Sequence, residues 1–199
     1  YYEAEERDAD AMRAYARGLA LEPGNAQARN NHEKLAIKAA LEQGKPVAAS
    51  YYQLGLRYLR NDEADAAVFT LRQAIALSPG HDGAHLFLGL AHTSLGAYAQ
   101  AEAAFRRAIA LKPENPHAHN YLGRGYHQQK RYPEAVAAYR RAIAQAPDYA
   151  VAHVNLAATH EALGQPEQAL AAYREALRHD ANLQAVQEKI DALRKQLGK

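Results

Sequence analysis

Residues 82–115 read DGAHLFLGLAHTSLGAYAQAEAAFRRAIALKPEN, and the sequence on either side repeats this chemistry at intervals of 34 residues. The repeated positions carry leucine, alanine or proline: Leu54, Leu88, Leu122 and Leu156; Ala67, Ala101, Ala135 and Ala169; Pro79, Pro113 and Pro147. A fixed period of about 20–50 residues is typical of stacked repeat arrays, in which each unit contacts only its neighbours. The sequence therefore predicts an array rather than a single globular core.

Each repeat divides into two amphipathic helices. Apolar residues recur at helical spacing in both halves of residues 82–115, and never alternate as they would in a strand. Gly96 lies between the halves, where a left-handed backbone costs glycine little. Pro113 ends the second helix, and Asn115 is placed to cap the next helix with Pro116 at its first position.

The spacing of small and aromatic residues resembles the tetratricopeptide repeat (TPR) family. That family's pattern is an aromatic residue, Leu-Gly, an aromatic, a small residue, an aromatic and a proline. The second repeat matches it slot by slot, with histidine in place of both first-helix aromatics: His85, Leu88, Gly89, His92, Ala101, Phe105 and Pro113. Equivalent residues continue from Ala48 to Leu183, although the last repeat has Ala157 and Ala181 in the glycine and proline slots.

The resemblance implies an all-α fold, a right-handed superhelical solenoid of antiparallel helix pairs. Residues 1–25 fit the second half of a truncated repeat, so the chain resembles a piece of a longer protein. Residues 26–47 have room for one extra helix, ended by residues 43–46, which could act as a hinge, a cap or a helix swapped between molecules. Four regular repeats and a polar-faced capping helix follow: 48–81, 82–115, 116–149, 150–183 and 184–199.

Composition excludes several classes of function. The net charge is +2, with both signs mixed along the helices, which argues against a nucleic-acid partner. The chain has no cysteine, which removes disulfides, thiolate metal sites and cysteine catalysis. No apolar run reaches the roughly 18 residues that a membrane span needs, so direct membrane insertion is not expected. The compartment, cytoplasm or periplasm, stays open.

Histidines and carboxylates do not form a recognisable catalytic or metal site. His117 and His119 lie two residues apart, so on a helix they point in different directions. His85, His119 and His153 belong to different repeats, too far apart to share one metal ion. No nucleophile has an obvious base and no glycine loop cradles phosphate. We therefore expect no enzymatic activity, no cofactor and no bound metal.

The resemblance implies that the first helix of each pair lines a concave groove that binds a partner. An apolar group lies toward one end and a polar, mostly basic group toward the other, and such patches often mark interaction sites. The alternative is that the apolar residues pack against their neighbours across the inner helices, or are covered by the extra helix of residues 26–47. The groove residues carried over from the family are Tyr52, Leu56, Leu86, Phe87, Leu90, Asn120, Arg124, His127, Val154, Asn155 and Lys189.

Two known binding modes of the family fit only in part. Some members grip a partner's terminal carboxylate with lysines and asparagines, and Asn120, Arg124, Asn155 and Lys189 match part of that set. Asn120 itself stands in the first lysine slot and Ala185 in another basic slot, so the clamp is incomplete. Other members carry a ladder of asparagines on the inner wall of the groove. In this sequence only Asn155 occupies one of those positions.

These patterns predict a non-catalytic scaffold that binds a protein or peptide segment, apolar with an acidic group. One alternative is an accessory, substrate- or polymer-binding segment of a larger bacterial enzyme or of a secretion or assembly apparatus. Another is a scaffold that assembles with itself, as a homo-oligomer joined through the truncated N-terminal helix. The bacterial assignment follows from the alanine-rich and arginine-rich composition alone.

Overall fold

The computed structural model describes residues 2–22, 24–43 and 47–198, apart from the side chains of residues 2–6, 9, 26, 41 and 42. Within these residues every regular element is an α-helix: α1 (Tyr2–Leu21), α2 (Ala26–Glu42), α3 (Ala48–Arg60), α4 (Ala64–Leu77), α5 (Asp82–Ser94), α6 (Tyr98–Leu111), α7 (Pro116–Gln128), α8 (Tyr132–Gln145), α9 (Ala150–Ala162), α10 (Pro166–His179) and α11 (Gln184–Gln196). The all-α prediction is confirmed. Residues 44–46, expected to end α2, lie outside the described residues.

Left-handed residues make the turns inside the helix pairs. Gly96 has φ +70°, as its place in the sequence predicted, and Gly164 has φ +68°. Asp62 and Lys130 occupy the equivalent places and adopt φ 58° and 60° without being glycine. The turn geometry is therefore set by the repeat as a whole, and glycine only makes it easier.

Capping at the start of α7 also follows the sequence. The Asn115 side chain accepts a hydrogen bond from the Ala118 backbone amide at 3.3 Å, and Pro116 occupies the first helical position. Asn25 caps α2 in the same way, through the Ala28 amide at 2.9 Å. Side-chain oxygens at these positions satisfy amides that have no partner inside the helix.

The fold divides into two compact units, Tyr1–Ala91 and His92–Lys199, and the division falls inside α5. In the first unit, α1 packs on α2 and α3 packs on α4. Its core contains the repeat residues Leu54, Tyr58, Ala67 and Leu71, joined by Ile37 from α2. Each large apolar side chain buried in this way contributes about 1.5–3 kcal/mol.

In the second unit, α7 packs on α8 and α9 packs on α10, and each pair contacts the following helix. Its core alternates alanines with rings: Ala135 and Ala142 are fully buried, and Phe105 and Tyr139 are 1% exposed. The last helix buries Val186, Ile190 and Leu193 and exposes most of its polar residues. Of the helices described, none is both long and apolar enough to cross a membrane.

Candidate functional site

A chain of hydrogen bonds links α7 to α9 on the polar side of the second unit. The Asn155 side-chain amide donates to Asn120 Oδ1 at 2.9 Å, and the Asn120 amide donates to the Tyr149 hydroxyl at 3.3 Å. His117 Nδ1 lies 3.1 Å from the same hydroxyl. Burial raises the pKa of Tyr149, an effect opposed by the Asn120 hydrogen bond and by Arg124. The Tyr149 hydroxyl therefore stays protonated and links the side chains of Asn120 and His117.

The guanidinium group of Arg124 lies over an aromatic ring, beside these hydrogen bonds. Its guanidinium carbon lies 5.5 Å from the centre of the Tyr121 ring, which stacks on Phe105 with centroids 6.2 Å apart. Arg124 is exposed, and among the described residues no carboxylate pairs with it. A cation held by a ring and left without an anion can bind the carboxylate of a partner. We call Asn120, Tyr121, Arg124, His127 and Asn155 the polar face.

The other predicted polar residues have partners within the chain. His127 Nδ1 lies 2.9 Å from Thr159 Oγ1, and the ring packs edge-on against Tyr132. Lys189 Nζ pairs with Glu161 at 3.6 Å, so the lysine is already neutralised in part. Val154 is half-buried. Asn120 is 2% exposed, which makes it a support for Asn155 and Tyr149 rather than a contact surface.

Apart from Val154, the apolar residues of the predicted groove lie in the first unit. Tyr52 packs against His81 and Phe87, with ring centroids 4.4 and 6.0 Å apart. Leu56, Phe87 and Leu90 are half-buried, whereas Leu86 is 7% exposed and belongs to the packing. Burial, followed by the charge of Asp82, raises the pKa of Tyr52. We call Tyr52, Leu56, Phe87 and Leu90 the apolar patch.

Three histidines perform a structural role that the sequence analysis missed. Nε2 of His85, His119 and His153 lies 3.0, 3.3 and 2.9 Å from the carbonyl oxygen of Pro79, Pro113 and Pro147, respectively. A carbonyl oxygen only accepts, so each imidazole donates its Nε2 proton to the turn that precedes its helix. In three repeats the histidine lies six residues after the proline, and this recurring spacing could have predicted the contact.

One of these histidines, His119, predicts a pH dependence. Burial, opposed by the Pro113 carbonyl and reinforced by Arg141, holds the pKa of His119 below its usual 6.5. The unfolded chain therefore binds a proton before the folded chain does, and stability falls as the pH drops below about 6.5. We expect His119→Phe to make this decline shallower, measured by urea unfolding at about pH 7.5 and about pH 5. Parallel declines in the two proteins would contradict this role for His119.

Glu102 also has a structural role. Its carboxylate accepts from Arg106 at 2.7 Å, from Arg131 at 2.8 Å and from the Tyr126 hydroxyl at 3.0 Å. These groups come from three segments of the second unit, so Glu102 ties consecutive helices together.

In the part of the chain that the structure describes, no three histidine, aspartate or glutamate residues gather to hold a metal ion.

Comparison with known proteins agrees with this architecture. Sequence models of the tetratricopeptide repeat match residues 52–116, 95–150 and 126–196. No curated protein sequence matches the chain at a significant level. Among solved structures, PilF of Pseudomonas aeruginosa is 26% identical with a TM-score of 0.70, over 75% of this chain and 68% of PilF.

Two further solved structures share the fold. The MamA protein is 21% identical with a TM-score of 0.71, over 87% of this chain and 93% of MamA. The first TPR of Spaghetti (RPAP3), solved with the HSP90 peptide SRMEEVD, is 19% identical with a TM-score of 0.57, over 59% of this chain and 94% of that one. The helix pairs, the repeat period and the matched residues together show that the chain belongs to the tetratricopeptide repeat family, a family of protein-interaction scaffolds.

Proposed function

We propose that this array is a non-catalytic scaffold whose polar face binds a carboxylate-bearing segment of a partner protein. The observation that carries the proposal is the exposed Arg124, held on Tyr121 with no carboxylate of the described chain beside it. Ordering an arginine side chain on an aromatic ring costs conformational entropy. Without an ion-pair partner, the arginine keeps its five N–H donors available to a ligand. The hydrogen bond between Asn120 and Asn155 holds the surface beside Arg124 in one conformation, which reduces the entropy lost when a partner binds.

The apolar patch supplies the second part of the proposal. Tyr52, Leu56, Phe87 and Leu90 keep part of their side chains accessible, and Tyr52 and Phe87 pack against the core of the first unit. An apolar group of a partner that packs on this patch would remove the surface from water at about 25 cal/mol per Å². A segment bound by a few such contacts typically reaches micromolar affinity, about 8 kcal/mol.

The fold neighbour from Spaghetti lends support by analogy. That TPR was solved with a peptide whose sequence, SRMEEVD, is rich in carboxylates. Here, however, Lys189 is paired with Glu161, Asn155 donates to Asn120, and Asn120 is buried, so three of the four clamp-like residues are already engaged. We therefore propose recognition of an acidic segment through Arg124, and not a terminal-carboxylate clamp.

Affinity capture tests the proposal. The array, immobilised, is exposed to lysate of the source cell beside two double variants, and captured proteins are identified by mass spectrometry. Leu90→Asp with Arg124→Glu alters both proposed contacts, whereas Leu77→Asp with Arg140→Glu makes the same chemical changes at exposed positions outside them. We expect the first variant to lose at least ten times more of the captured partner than the second.

The control decides between specific binding and surface charge. If both double variants lose the partner equally, general electrostatics explains the capture and the proposal is wrong. Retention of the partner by Leu90→Asp with Arg124→Glu would also contradict it. Circular dichroism must show unchanged helicity in each variant before the comparison is made.

A further inference from the structure

Three helices of the second unit, α6, α8 and α10, carry arginines at the same position. Arg106, Arg140 and Arg174 are the ninth residues of these helices, in that order. In α6 and α8 a second arginine follows directly, Arg107 and Arg141. All five residues are exposed. We call Arg106, Arg107, Arg140, Arg141 and Arg174 the arginine stripe.

The grooves between these helices bring arginines of different helices to one face. Arg106 of α6 and Arg141 of α8 line one groove, and Arg140 of α8 and Arg174 of α10 line the next. Each groove therefore has an arginine on both of its walls, and α8 supplies one arginine to each groove. Because the stripe continues across three neighbouring helices, a single extended partner can contact all of it.

The glutamates of these helices leave most of the stripe unpaired. Three of them form an ion pair with an arginine: Glu102 with Arg106 at 2.7 Å, Glu134 with Arg131 at 2.9 Å and Glu175 with Arg178 at 2.7 Å. The fourth, Glu167, lies in the first turn of α10, about two turns before Arg174. Within the described chain, the members of the stripe other than Arg106 pair with no carboxylate. Their charge is therefore available to a partner.

Small side chains surround the arginines. Exposed alanines lie about one turn from them on each helix: Ala103, Ala110, Ala137, Ala144 and Ala171. The helices α6, α8 and α10 are described in full, and none of their large apolar side chains is exposed. The long arginine side chains therefore extend beyond their neighbours and can reach a broad surface together.

This combination favours an anionic lipid surface over other anionic partners. Protein interfaces are usually anchored by large apolar or aromatic side chains, and single-stranded nucleic acids by rings on which bases stack. The face that carries the stripe exposes neither. A cluster of about four to eight basic residues is typical of proteins that bind anionic lipid headgroups through charge.

We propose that the arginine stripe binds the surface of a membrane that contains anionic phospholipid. The guanidinium groups donate to headgroup phosphates, and no side chain enters the hydrocarbon. Each basic residue close to such a surface strengthens binding about fivefold, and salt screens the attraction. The inference does not rest on the proposed protein-binding function, since the polar face and the apolar patch contain no residue of α6, α8 or α10.

Sedimentation of the full chain with lipid vesicles tests this inference. Vesicles of phosphatidylcholine with about 30% phosphatidylglycerol are compared with vesicles of phosphatidylcholine alone. We expect saturable binding to the anionic vesicles at about 0.05 M salt and at least tenfold weaker binding at about 0.5 M salt. The neutral vesicles should bind none of the protein.

Paired substitutions locate the contact. Arg140→Glu with Arg141→Glu should weaken binding to the anionic vesicles at least tenfold. Arg124→Glu with Lys195→Glu makes the same change in net charge at exposed positions outside the stripe, and should alter vesicle binding less than threefold. Arg140→Lys with Arg141→Lys keeps the charge and should also alter it less than threefold, which separates loss of charge from loss of fold.

Several outcomes would overturn the proposal. They are an absence of binding to anionic vesicles, equal binding to neutral vesicles, or equal losses in the two charge-reversed variants. Duplex DNA is the competing occupant, and tighter binding of DNA than of vesicles at equal phosphate concentration would make the assignment to lipid wrong. Because Arg124→Glu should remove the protein partner and leave vesicle binding intact, failure of one proposal is distinguishable from failure of the other.

Discussion

Replacing Gly123 by alanine is expected to lower the free energy of unfolding by about 1–2 kcal/mol, whereas the same change at Gly125 should raise it by about 0.5–1 kcal/mol. Both glycines lie inside α7, where alanine is the better helix former. The opposite signs arise from the space around each position. A Cβ on Gly123 would lie 2.7 Å from Tyr139 Cε1 and 2.9 Å from Cδ1, while a Cβ on Gly125 meets nothing within 4 Å.

The Tyr139 ring cannot move aside cheaply. It is 1% exposed and therefore packed on every side. Because interiors are packed at crystal-like density, a ring enclosed in this way must displace its neighbours to admit a methyl group. That cost exceeds the roughly 1 kcal/mol that alanine gains over glycine in a helix.

Urea unfolding of the two variants beside the parent measures the difference. The Gly123→Ala midpoint should fall and the Gly125→Ala midpoint should rise, with unchanged slopes. Movement of both midpoints in one direction would mean that helix propensity, and not the approach of Tyr139, determines which residue these positions accept. Gly55 provides a second example, since its Cβ would lie 2.6 Å from Leu71 Cγ.

The sequence predicted the helix pairs because each repeat restates the same local signals. Apolar spacing, Asn115 with Pro116 at a helix start, and Gly96 at a turn all act over a few residues. They therefore appear in the structure where the sequence placed them. Asp62 and Lys130 escaped notice because packing of the whole repeat, and not their own preference, places them in the left-handed region.

Predictions about the partner surface depended on contacts between repeats, which the sequence does not specify. The pattern placed Asn120 and Asn155 in the first helices of consecutive repeats but could not reveal that their amides bond to each other. Leu86 and Lys189 also looked available until packing and Glu161 were taken into account.

The largest functional effect is expected at Arg124, because one side chain combines the charge, the exposure and the aromatic support of the polar face. Reversal to glutamate removes the attraction for a carboxylate and introduces repulsion of like charges. Arg140 is a suitable control, since it is also an exposed arginine of the second unit and has no carboxylate partner among the described residues. We expect Arg124→Glu to weaken binding at least a hundredfold and Arg140→Glu to change it less than threefold.

Site-specific photo-crosslinking tests the central claim most directly. Benzoylphenylalanine is placed at Gln128, which is exposed and lies one helical turn beyond Arg124, or at Ala137, which is exposed on α8. We predict partner adducts from position 128 in source-cell lysate, lost with Arg124→Glu and kept with Arg140→Glu, and no adduct from position 137. Equal adducts from both positions, or adducts from position 128 that persist with Arg124→Glu, would contradict the assignment of the polar face as the binding surface.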